Sequence, residues 1–350
     1  MKLITCLCSL SLLIYPTWTL ARLPDPVSEP LKTSILEGIE LTVNNQFEQA
    51  SQLYQQLIDS YPAYPAGYFY KGATLQAAML DAENFSNRED FFRLMNRTID
   101  IADSLRKKGE GNGWISFYEG SAYLYRSFLN MKEGDWYTAY QDARRGVKTL
   151  ESAVQQDSAL YDAYLGIGSY QYWKSAKSKF LLWLPFVSDQ RQQGIKLVSR
   201  AIREGLFVGV VGKDQLVWIL MDHGDIPRAL QLARENYQDY PESRFLRWTL
   251  ASAAFHAGEW TLSEKLYREL LKEVRKLPAN NGLNEVDCLV RLAEIARENE
   301  SWENAFEQAD EALRITLDPE VRERAKNKLK RALEIRRDAE EQIKKAEIVR

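Results

Sequence analysis

A pattern of small and large residues that returns along the chain constrains its fold more than any other feature. Residues 31–64 carry Gly38, Leu41, Ala50, Tyr54 and Pro62, at positions 8, 11, 20, 24 and 32 of a 34-residue window. That spacing suits two packed helices. Small residues at 8 and 20 let the helices approach closely, large ones fill the gaps between turns, and the proline ends the second helix. The pattern recurs. "GYFYKGATL" places Tyr68 and Gly72 in a second unit, and "WISFYEGSAY" places Gly120 and Tyr123 in a third, with Gly134, Trp136 and Ala139 at its internal turn. Tyr164 and Gly168 mark a fourth unit, and Leu216, Gly224, Ala229, Ala233 and Pro241 a fifth. A sixth carries Gly258, Trp260 and Tyr267, and a seventh Leu292, Trp302, Ala305 and Ala312. Repeats of this size bury their apolar faces against their neighbours, which predicts an all-α solenoid.

These residues and spacings resemble the tetratricopeptide repeat superfamily, over roughly residues 31–318. The resemblance implies a solenoid of about seven helix pairs, with insertions where units two, three and four exceed the usual length. Residues 319–350 then read as a long charged helix whose Val321, Ala325, Leu329 and Ala332 form an apolar stripe, suited to capping the last repeat. A narrower likeness covers residues 160–220. Gly166 and Gly168, the "YW" pair, "WLPF" and "QQGIKLVSRAI" are similar to the tetratricopeptide repeat protein 39-like group, several of whose members are associated with membranes.

Ahead of the repeats, "MK" and the apolar "LITCLCSLSLLIY" precede small residues at Thr19 and Ala21. This is the build of a secretory signal cleaved after Ala21, with residues 22–30 as a linker. An uncleaved anchor is the alternative. The expected location is the periplasm or cell envelope. Cys6 and Cys8 depart with the signal and leave Cys288 alone, so packing rather than a disulfide must stabilise the mature chain. A net charge of −3 and a pI near 5.8 give no reason to expect nucleic acid as a partner.

The inventory for catalysis is thin. His223 and His256 lie in different units without a zinc-site spacing, so no metal or cofactor is expected. Cys288 sits on an apolar helix face, "VDCLVRLA", as a buried thiol would. "GEGNG" at 109–113 lacks the Lys-Ser/Thr of a phosphate-binding loop and reads as a turn. The chain is therefore expected to be non-enzymatic. A hydrolase with carboxylates in its groove is the catalytic alternative.

The resemblance also implies that the first helix of each unit lines a concave groove. In this register the groove residues are Phe69 and Gln76, Trp114, Phe117, Ser121 and Tyr125, then Asp162, Leu165, Ser169, Tyr172 and Trp173. Units five and six add Asp214, Trp218, Met221, Trp248, Phe255 and His256. The face is aromatic and holds no Lys or Arg, so it suits an apolar or amphipathic segment of a protein partner better than a terminal carboxylate. Longer helices that wind the superhelix tighter would instead turn the same positions into core.

An insert at residues 174–190 interrupts unit four with Phe180, Leu181, Leu182, Trp183, Leu184 and Phe186. Pro185 and its short length rule out a membrane-spanning helix. Three roles remain: an internal plug packed on Trp173, Trp218 and Trp248, a foot dipping into a membrane surface as a peripheral envelope protein, or a docking patch for another protein.

Overall fold

The structure is a computed structural model that describes residues 26–27, 29–177, 188–278 and 280–349. Among them are fifteen helices, arranged as seven antiparallel pairs and a terminal helix. The pairs are α1 (Leu31–Val43) with α2 (Phe47–Ser60), α3 (Ala66–Ala82) with α4 (Arg88–Lys107), and α5 (Gly113–Lys132) with α6 (Trp136–Gln156). Next come α7 (Ala163–Lys177) with α8 (Arg191–Glu204), α9 (Gly209–His223) with α10 (Ile226–Asp239), and α11 (Arg244–His256) with α12 (Trp260–Val274). The seventh pair is α13 (Leu283–Glu298) with α14 (Trp302–Arg314), and α15 (Pro319–Val349) closes the array. Helix α7 carries Lys174 and Lys177 within it, so it extends further than an insert beginning at 174 implies. Residues 180–187 lie outside the described residues.

The repeat residues do the packing work their spacing anticipates. A β-carbon on Gly38 would overlap the ring of Tyr54, so position 8 stays small because position 24 is aromatic. In unit four the contact is backbone on backbone. A β-carbon on Gly168 would stand 2.7 Å from the carbonyl oxygen of Gly194, and one on Gly194 would stand 2.6 Å from that of Gly168. Gly120 and Gly146 make the same reciprocal approach at 2.8 Å between α5 and α6. At the C-terminus, Val321, Ala325, Ala332, Ile335 and Ala339 bury the apolar stripe of α15.

The chain then does something an open solenoid does not. By α11 it has wound round far enough to meet its own first turn. Arg244, at the start of α11, grips Asp81 near the end of α3 through two parallel bonds, Nε to Oδ1 at 3.0 Å and Nη2 to Oδ2 at 2.6 Å. Both side chains are largely withdrawn from water. Asn45, in the α1–α2 turn, donates to the carbonyl of Glu242 at 2.8 Å and accepts from the Arg244 N–H at 3.3 Å. The last carbonyls of a helix have no partner within it, and here they are met from across the superhelix. Asn284 donates to the Asp81 carbonyl at 2.8 Å, Asn281 to the Glu83 carbonyl at 2.9 Å, and Arg324 of α15 to the same carbonyl at 3.0 Å. The Glu83 carboxylate is ion-paired to Lys132 at 2.6 Å and also to Arg324.

The glycine pairs generate a stability prediction. Gly146→Ala should lower unfolding stability by about 1–3 kcal/mol, because the added methyl meets backbone rather than a side chain that can swing away. Gly209→Ala, which has open space around it, should leave stability equal or raise it. Urea denaturation of the two variants checks both signs.

Candidate partner-binding face

Inside the array the first helix of a unit, as α5, α7 and α9 show, is packed against its own partner helix and against both neighbouring units, which leaves one stripe facing inward. On α9 the buried Leu216, Val217, Ile219 and Leu220 cover the packed sides. Trp218 and Met221 lie on the inward stripe, and Asp214, one turn before Trp218, is buried at its base. On α11 the same spacing gives Trp248, the buried Ser252 and Phe255, and on α7 the inward side carries Leu165, Ser169 and, eight residues after Leu165, Trp173.

The structure divides the expected groove residues into two groups. In the N-terminal group Phe69, Trp114 and Phe117 are 4, 8 and 4% exposed, and Tyr125 is half-buried with its ring centroid 5.3 Å from that of Phe69. Phe69 lies 6.3 Å from Phe117, and Trp114 lies 5.4 Å from Phe117 and 5.5 Å from Phe207. Tyr118, fully buried, is the hub that touches Tyr64, Phe69, Tyr70, Trp114 and Phe117. These rings form a core, not a surface. The expectation that Phe69, Trp114 and Phe117 offer themselves to a partner is corrected here: tight winding turns these inner positions onto one another. Tyr172 is likewise buried, its hydroxyl donating to Asp222 at 2.7 Å.

Asp162 also leaves the groove. Its carboxylate accepts the backbone N–H groups of Leu206 at 2.8 Å and Phe207 at 2.7 Å, tying the α8–α9 connection to α7. Burial pushes its pKa up, while those N–H groups pull it back.

The second group stays accessible. Trp218 is 40% exposed, and Trp173, Trp248 and Phe255 are half-buried against the C-terminal hydrophobic cluster. They lie on α7, α9 and α11, which are neighbours along the solenoid. Three of the rings are braced from behind or beside. Trp173 packs edge-on to Tyr172 at 5.2 Å, Trp248 to Tyr267 at 5.9 Å, and Phe255 to Trp260 at 5.4 Å. Unit seven contributes a residue that the sequence register stopped short of: Arg291 of α13 lies 4.8 Å over the Phe255 ring while pairing with Glu294 at 2.9 Å. The face therefore ends in a cation–π contact.

Asp214 sits beneath this face. Thr249 of α11 donates its hydroxyl to Asp214 Oδ1 at 2.5 Å, and the Trp218 side chain also hydrogen-bonds to the carboxyl. Burial raises its pKa to about 7, with those two bonds opposing the shift. The contact fixes α9 against α11 and orients the Trp218 ring.

For catalysis or metal binding the described residues assemble little. No group of three or more His, Cys, Asp or Glu side chains suited to a metal ion occurs among them. The His223 ring pairs with Gln192 at 2.9 Å, and His256 Nδ1 lies 2.8 Å from its own helix carbonyl at Ser252. Cys288 is buried, and that burial pushes its thiol pKa up, away from the reactive thiolate. No helix among the described residues is long and apolar enough to cross a membrane.

The helix-pair solenoid and its inward stripes define a class, the α-solenoid repeat proteins. A sequence profile described as "Tetratricopeptide repeat" matches residues 215–281, the fifth and sixth units. Residues 215–281 are therefore tetratricopeptide repeat in sequence, and the same helix-pair architecture runs through the other described units. Over 79% of its length it is similar in fold to a chain of the crystal structure of the APC/C hetero-tetramer Cut9-Hcn1, with a TM-score of 0.51 and 15% identity, and it spans 45% of that chain. A thermophilic tetratricopeptide repeat protein of Thermus thermophilus matches 63% of this chain and 97% of its own, at a TM-score of 0.40 and 15% identity. One from Parabacteroides merdae matches 86% of this chain and 98% of its own, at 0.41 and 12%. Comparison with curated proteins found no match. The profile match scarcely overlaps residues 160–220, and none of these matches singles out the tetratricopeptide repeat protein 39-like group.

The buried carboxyl yields a pH prediction. An unfolded Asp titrates near 3.9, whereas Asp214 holds its proton up to about 7 in the folded chain. Between those values the folded state binds one proton more than the unfolded, so this group's contribution to stability falls as pH rises from about 4 to about 7. Asp214→Asn keeps an acceptor for Thr249 and removes that loss. Its melting temperature relative to the parent should rise more at pH 8 than at pH 4.5. An equal offset at both values would contradict the assignment.

Proposed function

We propose that the chain is an exported, non-enzymatic scaffold of the cell envelope that binds an apolar or amphipathic segment of a protein partner. The tetratricopeptide fold is a protein-interaction fold, and proteins built on it are generally non-catalytic scaffolds. The observation that carries the finer reading is the strip Trp173, Trp218, Trp248 and Phe255, which stays accessible while the equivalent residues of units two and three are core. Braced aromatic rings bind with little loss of side-chain freedom, because their orientation is already fixed. Export rests on the N-terminal segment with cleavage after Ala21, and the envelope location follows from it.

The test uses a photo-crosslinking residue at Trp218, with Glu235 on the exposed side of α10 as the control position. The proposal expects an adduct at 218 and none at 235. Trp218→Ala should weaken binding of the trapped segment tenfold or more, about 1.4 kcal/mol, with an unchanged far-UV circular dichroism spectrum. Equal adducts at both positions, or full binding by folded Trp218→Ala, would sink it.

A further inference from the structure

The turn of the α5–α6 hairpin carries an aromatic cluster that the fold does not use. Trp136, Tyr137 and Tyr140 are 66, 75 and 55% exposed, with Phe128 and Met131 at 39% each on the facing end of α5. Burying such a side chain is worth about 1.5–3 kcal/mol, and soluble monomers rarely gather so many in one exposed place. Helix packing here depends on other residues. Ala139 is the buried contact of this turn of α6, and its carbonyl accepts from the Ser127 hydroxyl at 2.7 Å. Asp135 caps α6 by accepting the Thr138 N–H at 3.0 Å, and Gly134 supplies the left-handed backbone, φ 86°, that the turn needs.

A row of cations lies behind the cluster along α6, while Glu133 and Asp135 flank the turn itself. From Trp136 the exposed stripe of α6 runs through Tyr140 to Arg144 and Lys148 at four-residue intervals. The Arg144 guanidinium lies 5.8 Å from the Tyr140 ring centre. Arg144, Arg145 and Lys148 form no ion pair within 4.0 Å among the described residues; of the acids on this hairpin, Asp135 caps α6, Glu151 stands one turn beyond Lys148, and others are ion-paired. Glu133 pairs with Arg88 at 2.8 Å, and Asp142 with Arg126 at 3.1 Å. On the adjoining helix α7, Lys174 lies 5.8 Å over Tyr170. The result is a hairpin tip with aromatic rings at its end and unpaired cations about two to three helical turns behind.

We infer that this tip docks on an anionic phospholipid surface, with Trp136, Tyr137 and Tyr140 at the headgroup–acyl boundary and Arg144, Arg145 and Lys148 against the phosphates. Amphipathic rings partition to that boundary, and cations behind them meet the phosphate layer. A planar surface is reached by a protruding tip without involving the rest of a chain whose net charge is −3. A nucleic acid would need a basic track along the body. The proposed groove and this tip are separate, so either can fail without the other.

The test is hydrogen–deuterium exchange of the full chain with vesicles of phosphatidylcholine alone, vesicles containing one quarter phosphatidylglycerol, and polyuridylate. Anionic vesicles should protect peptides covering residues 128–144, and neutral vesicles should do so far less. In flotation, Arg144→Gln and Lys148→Gln should each weaken binding about fivefold, and Trp136→Ser with Tyr137→Ser should remove the protection while leaving circular dichroism unchanged. The inference fails if the tip exchanges freely on bound vesicles, if the chain does not bind vesicles, or if neutral vesicles protect equally. Protection by polyuridylate and not by vesicles would overturn it and assign the tip to RNA.

Discussion

The Arg244–Asp81 pair and the asparagines around it are the contacts on which the shape of the molecule depends. Breaking a largely buried, bidentate ion pair by removing one partner typically costs about 3–5 kcal/mol, since the other charge is left without compensation. In a repeat array each unit usually touches only its neighbours, so stability is a sum of local terms. Here residues more than 160 positions apart in sequence are hydrogen-bonded. The end of α3 also gains donors for carbonyls that no helix can satisfy alone, which couples its local stability to the placement of α11, α13 and α15. One superhelical turn is thereby fastened to the next.

Closure has opposite consequences along the chain. In units two and three it accompanies an inner face folded onto itself as the aromatic core around Tyr118. In units four to six the inner stripe stays open, and its rings are held by neighbours rather than by a partner. The Asp214–Thr249 contact adds stiffness between α9 and α11 just below Trp218. On the proposed reading, a face of braced aromatic rings on a fastened superhelix is pre-organised, so that folding would already meet part of the ordering cost of binding.

Much of the fold was legible in the sequence because it is local. Gly38 facing Tyr54, and the glycines at 120 and 168, report helix pairs through spacing alone, and the apolar stripe of α15 reports a cap. The face was only half legible. The repeat register identifies which positions turn inward, but the rotation from one unit to the next decides whether an inward ring meets solvent or another ring. That rotation leaves no periodic mark, so Phe69 and Trp218 looked alike. Nor does closure leave a signal: Asn45, Asp81, Arg244 and Asn284 are single polar residues at helix ends, with partners unreadable without coordinates. The hairpin tip was visible as a turn, yet the exposure of Trp136 and Tyr137 follows only from how α5 and α6 pack.

The most direct measurement of the central claim is a double-mutant cycle between Asp81→Ala and Arg244→Ala, followed by denaturation and small-angle X-ray scattering. Closure predicts a coupling energy of about 2 kcal/mol or more, together with a larger radius of gyration in each single variant. Additive losses and scattering curves identical to the parent would show that the two superhelical turns are not held together by this contact.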